Sequence, residues 1–128
     1  MITSTDHFVL TVRSVAASLD FYERVLGLER EILAGRPAAL KFGSQKINLH
    51  QIDRTFEPKA ETPTPGSGDF CLVTEQPIAE VVAHLKREAV EIEVGPIARN
   101  GARGQMLSIY FRDPDRNLVE VSSYEERP

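Results

Sequence analysis

The chain has 128 residues, 41% of them hydrophobic, with 15 Lys and Arg against 19 Asp and Glu and a mean hydropathy of -0.23; this composition describes one globular domain and excludes disorder. A net charge of -4 and a pI near 5.4 lack the clustered basic surface that nucleic acid or an anionic membrane selects. Cys71 is the single cysteine, which excludes an intrachain disulfide and a cysteine-rich zinc site and suits a reducing cytoplasm, and no window nears the roughly 20 apolar residues of a membrane span.

The opening stretch MITSTDHFVLTV carries no basic segment leading into an apolar one, so the expectation is a soluble, unprocessed protein. Within it, residues 6–12 (DHFVLTV) form a β-branched and aromatic run of strand length. Ser14 then reads as a helix N-cap. Val15, Leu19, Tyr22 and Leu26 recur at helical spacing, and Gly27 is placed to stop the helix in a left-handed C-cap conformation. Three short strand-like runs follow, residues 28–33 (LEREIL), 37–43 (PAALKFG) and 46–52 (KINLHQI), divided by Gly, Pro and Ser. The unit reads β-α-β-β-β.

Residues 53–68 (DRTFEPKAETPTPGSG) have the Pro, Gly, Ser and Thr content of a surface connection. Residues 69–74 (DFCLVT) then open a second copy as a strand, and Pro77 suits a helical first turn, where its missing N–H has no partner to lose. Ile78, Val81, Val82, Leu85 and Ala89 make the second apolar stripe. The runs VEIEVG, QMLSIYFR and NLVEVSSY complete this unit, the last two joined by an Asp113-Pro114-Asp115 turn. The expected fold class is α+β: a single domain over residues 1–128 whose two tandem βαβββ units, about 4–52 and 69–124, form a curved mixed sheet with helices on its outer face.

Period-two alternation sorts each strand into two faces. Phe8, Leu10 and Val12 belong to the helix side, as do Phe70, Leu72, Leu107, Ile109, Phe111, Val119 and Val121. The other face carries His7, Thr11, Asn48, His50, Asp69, Ser108, Tyr110 and Glu120 among Val9, Val73, Met106 and Leu118. Polar groups convergent in an apolar setting mark a ligand pocket, and imidazole with carboxylate oxygen suits a divalent metal such as Mn, Fe, Ni or Zn. Glu120 is the hardest to assign a passive role, because a carboxylate inside LVEVS is costly unless paired or bound. Asp69 also reads as a turn or capping residue, Cys71 as a buried inert thiol, and Tyr110 and Ser108 as core filling. Residues 95–105 (GPIARNGARGQ), with Arg99 and Arg103, read as a loop that either stays solvated or closes as a positive lid over an anionic substrate.

With DHFVLTVRSVAASLDFYERVLGLE at its start and FRDPDRNLVEV at its end, the chain resembles the vicinal oxygen chelate superfamily of glyoxalase I, extradiol dioxygenases and bleomycin resistance proteins. KINLHQ, FEPKA and SIYFRDPDRNLVEVS make it most similar to the glyoxalase domain-containing protein 5 group. The resemblance implies a metal site in which His7 and Glu120 match ligands, Asp69 stands where relatives place a second His, and His50 substitutes for a missing imidazole. It implies a metal-dependent lyase, isomerase or dioxygenase in which the ion chelates vicinal oxygens of a small-molecule substrate and Glu120 shuttles a proton. Ser108, Tyr110 and Arg103 are the expected substrate contacts, in a homodimer. The alternative is a metal-free drug-sequestering protein of the bleomycin-resistance type.

Overall fold

The computed structural model describes residues 1–125. The chain divides into two units, one of Met1–Ser67 with Pro114–Arg116, the other of Gly68–Asp113 with the chain from Asn117 onward.

The first unit runs β1 (His7–Val12), α1 (Val15–Leu26), β2 (Glu29–Glu31), β3 (Ala38–Phe42) and β4 (Gln45–Gln51), with sheet order β1-β4-β3-β2. The β1–β4 pair is parallel and the others are antiparallel. The helix begins where Ser14 Oγ accepts the Ala17 N–H at 3.1 Å, satisfying a donor that the first turn leaves without a backbone partner. It ends at Gly27, whose φ of 68° is accessible to glycine without steric cost; the Gly27 and Leu28 N–H groups donate to Glu23 and Tyr22 carbonyls. Leu19, Tyr22 and Val25 of the helix and Leu10, Val12, Leu40, Ile47 and Leu49 of the strands are buried. Leu10 and Val12 are thus on the side that alternation assigns them.

The second unit runs β5 (Asp69–Val73), α2 (Ile78–Arg87), β6 (Val94–Gly101), β7 (Gly104–Arg112) and β8 (Leu118–Ser123), in the order β5-β8-β7-β6. Again the first and last strands pair in parallel. Ile78, Val81 and Leu85 of α2 and Ile109, Phe111, Val119 and Val121 of the sheet are buried. The Asp113–Asn117 turn is tied by side chains: Asn117 donates its N–H to Asp113 Oδ1 at 2.9 Å and its Nδ2 to Asp113 Oδ2 at 2.8 Å, and its Oδ1 accepts the Gly68 N–H at 2.7 Å. That last bond brings the start of β5 to the start of β8.

The fold class is α+β, as expected, with the strands hydrogen-bonded as two four-stranded mixed sheets, one in each unit. One expectation is corrected. Residues 95–105 are no lid loop: β6 occupies Val94–Gly101 and pairs with β7 through a hairpin whose last strand pair is Gly101 with Gly104. The glycines sit where the backbone demands them. Gly95, with φ 104°, stands at the irregularity between Val94 and Ile97, and Gly104, with φ 125°, closes the turn.

Candidate functional site

In the second unit the face away from α2 is set by strand register. Tyr110 pairs with Glu120 and Cys71 pairs with Glu120 from the other side, so three strands present a thiol, a carboxylate and a phenol in one row. The next row is Val73, Ser122 and Ser108. Asp69 stands beside Leu118, one row removed from Glu120.

Hydrogen bonds join these rows. Ser122 Oγ donates to Glu120 Oε2 at 3.1 Å, lies 2.6 Å from Ser108 Oγ and 3.1 Å from Cys71 Sγ. Ser108 and Ser122 are fully buried; with the Ser122 proton on Glu120, the Ser108 hydroxyl donates to Ser122 Oγ, so neither depends on water. Glu120 is half-buried and no ion pair with a cation is found for it among the described residues. Cys71 is exposed as a residue, not buried as expected, because it lies on the open face of β5. Partial burial still pushes its thiol above the ordinary range; the Ser122 hydroxyl opposes this and the negative charge of Glu120 adds to it. Cys71 is therefore no ready nucleophile. The apolar residues of this face are unequal: Met106 is buried while Val73 is exposed.

Arg99 and Arg103 extend the same face. Arg99 Nε donates to Tyr110 Oη at 3.0 Å, with its guanidinium carbon 5.5 Å from the ring centroid. Arg103 lies 4.2 Å over the Tyr124 ring, and its N–H donates to Tyr124 Oη at 3.2 Å. At the opposite end, Arg112 donates from Nε and Nη2 to the Glu93 carboxylate, at 3.1 Å each, and Asp69 contributes to the field around that guanidinium.

In the first unit the register separates the two histidines. His7 pairs with Lys46, whereas His50 pairs with Thr11, four residues further along β1 and so about 13 Å away at roughly 3.3 Å per residue. His7 and His50 therefore stand at opposite ends of the β1–β4 pair. His7 is 45% exposed and places Nδ1 2.7 Å from Asp6 Oδ1, a contact of the carboxylate–imidazole kind that accompanies metal-binding histidines. His50 is 4% exposed, with Nδ1 buried and unpartnered and Phe56 packed 5.5 Å away. Burial first, and the Lys59 charge second, hold its pKa below the ordinary imidazole value.

The donor set therefore fits a metal in part. His7 and Glu120 have suitable chemistry and surroundings, Asp69 has a competing cation in Arg112, and His50 stands apart. Among the described residues no group of three or more His, Cys, Asp or Glu side chains comes together within a unit. Ser122, which links Glu120 to Ser108 and Cys71, is legible in the sequence only as one more residue on the face. Arg99 is noticed there as a loop charge, but the loop-like composition around it conceals its strand and its contact with Tyr110.

Residues 4–121 match the Glyoxalase/Bleomycin resistance protein/Dioxygenase superfamily. A virulence protein of Salmonella typhimurium is 48% identical over 124 residues, covering 97% of this chain and 86% of that protein. Its crystal structure gives a TM-score of 0.95 over 98% of this chain and 99% of that one. A glyoxalase domain-containing protein of Mycosarcoma maydis is 47% identical over 98% of this chain and 70% of the relative. An integron cassette protein from the V. cholerae mobile metagenome is 45% identical, with a TM-score of 0.95 over 98% of each chain. With this fold, this face and these relatives, the chain belongs to the glyoxalase/bleomycin resistance protein/dioxygenase superfamily.

Proposed function

We propose that this chain is a small-molecule metalloenzyme of the glyoxalase and dioxygenase type, working on the Glu120 face of the second sheet. One observation carries the reading: Glu120 is a half-buried carboxylate set among hydroxyls and a thiol with no cation paired to it among the described residues. A carboxylate so placed has acceptor positions with which to serve a proton or a cation. Glu120 and Asp69 are the proposed carboxylate donors for Fe, Mn, Ni or Zn in this unit, and His7 of the partner copy in a homodimer is the proposed imidazole donor. A bound ion would supply Lewis acidity toward vicinal oxygens of the substrate. The chain itself supplies the rest. Ser122 orients the Glu120 carboxylate and is itself backed by the buried Ser108 hydroxyl, Tyr110 offers a hydroxyl to substrate, and Glu120 exchanges a proton when it is free. Arg103 brings positive charge to the hairpin end. The working form is proposed to be a cytoplasmic homodimer.

The partial donor set favours a second reading, a metal-free binder that uses the same face. Metal content of protein purified without chelator, followed by calorimetric titration with Mn²⁺, Fe²⁺, Ni²⁺ and Zn²⁺, separates the two. The enzyme reading expects close to one equivalent of bound metal, lost in Glu120→Gln. Well under one equivalent and no heat on titration would move the assignment to the binder.

A further inference from the structure

Most arginines for which a charged contact is resolved in this chain end on a carboxylate: Arg13 on Asp115, Arg24 on Asp20, Arg30 on Glu23, Arg54 on Asp53 and Arg112 on Glu93. Arg99 and Arg103 differ. Each rests on a tyrosine, and neither makes an ion pair among the described residues. A ring face holds a guanidinium without neutralising it, so both charges stay available to a ligand.

Their placement is specific. Register puts Arg99 opposite Met106, yet its Nε reaches the hydroxyl of Tyr110, four residues further along β7. Arg99 and Tyr110 thus meet along the sheet, and Tyr110 belongs to the row that holds Glu120. The Arg99 Nη1 contact is a 3.3 Å donation to the Ala98 carbonyl, which leaves guanidinium donors unused. At the hairpin, Gly101 makes room for the second pair: a Cβ there would meet Tyr124 Oη and would lie 2.6 Å from Met106 Sδ, so both side chains would have to shift. The absence of that carbon lets Tyr124 cross the strand end and hold Arg103. β6 is a paired strand, so Arg99 is built on a rigid element rather than a moving loop.

We infer that Arg99, propped on Tyr110, is the oxyanion-holding residue of this face, with Arg103 on Tyr124 as a second cation, so that the substrate carries a carboxylate or phosphate group. A planar fork of donors suits either oxyanion. This deepens the proposed function by naming the substrate's charged end, and it rests on the Glu120 face being the site.

The test is an NMR titration of ¹⁵N-labelled protein with inorganic phosphate and, separately, oxalate, at ionic strength matched with chloride. The Arg99 and Arg103 side-chain Nε–Hε signals are expected to shift and saturate with one or both anions, and which anion does so identifies the substrate's acid group. Arg99→Gln should raise the apparent Kd by about tenfold or more, the loss of a charge-assisted hydrogen-bond donor. Arg99→Lys should recover part of it, and Tyr110→Phe, which keeps the ring but removes the hydroxyl that accepts from Arg99 Nε, should give an intermediate loss. Arg87→Gln, on α2, should change nothing. No saturable shift with either anion, or equal Kd for wild type and Arg99→Gln, would overturn the inference. Zinc titration of the same variants keeps the two readings distinguishable: unchanged zinc binding in Arg99→Gln beside lost anion binding supports the anion role, whereas anion binding without zinc binding rejects only the metalloenzyme reading.

Discussion

Asn117→Ala tests whether the turn that aligns β5 with β8 is held as described. Asn117 is 1% and Asp113 3% exposed. The substitution deletes the 2.7 Å bond from the Gly68 N–H and the 2.8 Å bond to Asp113 Oδ2, while the backbone bond to Asp113 Oδ1 remains available. It leaves a part-buried donor and a buried carboxylate oxygen without these partners. Each such group costs about 1–3 kcal/mol, so the expected destabilisation is on the order of 3 kcal/mol, a large share of a stability of about 5–15 kcal/mol. In urea, with a slope of about 2 kcal/mol/M, this lowers the unfolding midpoint by about 1.5 M with the slope unchanged. Circular dichroism at 222 nm, which reports helix loss, follows the transition. A midpoint shift below about 0.5 M would refute the reasoning, since it would mean these bonds contribute no more than an exposed pair.

Three further outcomes follow from the geometry. His50 is held neutral by burial, so the unfolded chain takes up a proton that the folded chain refuses; stability falls as pH drops below about 6.5. His50→Gln should flatten the slope of urea midpoint against pH in that acid range, and slopes parallel to wild type would count against the assignment. Gly95→Ala places a Cβ against the Ser108 carbonyl and 3.0 Å from Ile109 Cα at a φ of 104°; a loss of about 2–4 kcal/mol is expected in thermal unfolding, and near-neutrality would show that β6 relaxes freely. Ser14→Ala removes the cap of α1 and should cost about 1 kcal/mol; Ser14→Asp should restore it, and failure of that rescue would argue against capping.

Local chemistry makes much of this chain legible in its residues alone. Ser14 and Gly27 bracket α1 because capping is a property of one residue and its immediate neighbours. Alternation places Ser108, Tyr110 and Glu120 on one face because side-chain direction in a strand has a period of two. What the residues hide depends on pairing. The sequence of β4 puts His50 on the face of His7, but only the register with β1 shows them four residues apart. β6 has the composition of a loop because Gly95, Pro96 and Gly101 break the strand pattern, although one adapts an irregular pairing and another makes room for Tyr124. The residues alone offer Arg99 as positive charge toward an anionic substrate, but its place on a strand and its contact with Tyr110 come only from the pairing of β6 with β7. The division of the strands into two hydrogen-bonded sheets, one to a unit, likewise rests on pairings that no composition encodes.

The central claim is that the face around Glu120 is where this protein meets its metal and its substrate. Crystals soaked in Mn²⁺ and measured near the manganese absorption edge test it most directly. The account predicts an anomalous peak within metal–oxygen bonding distance, about 2.0–2.2 Å, of the Glu120 carboxylate, absent from crystals of Glu120→Gln. A peak remote from β8, or one that persists unchanged in Glu120→Gln, would contradict it.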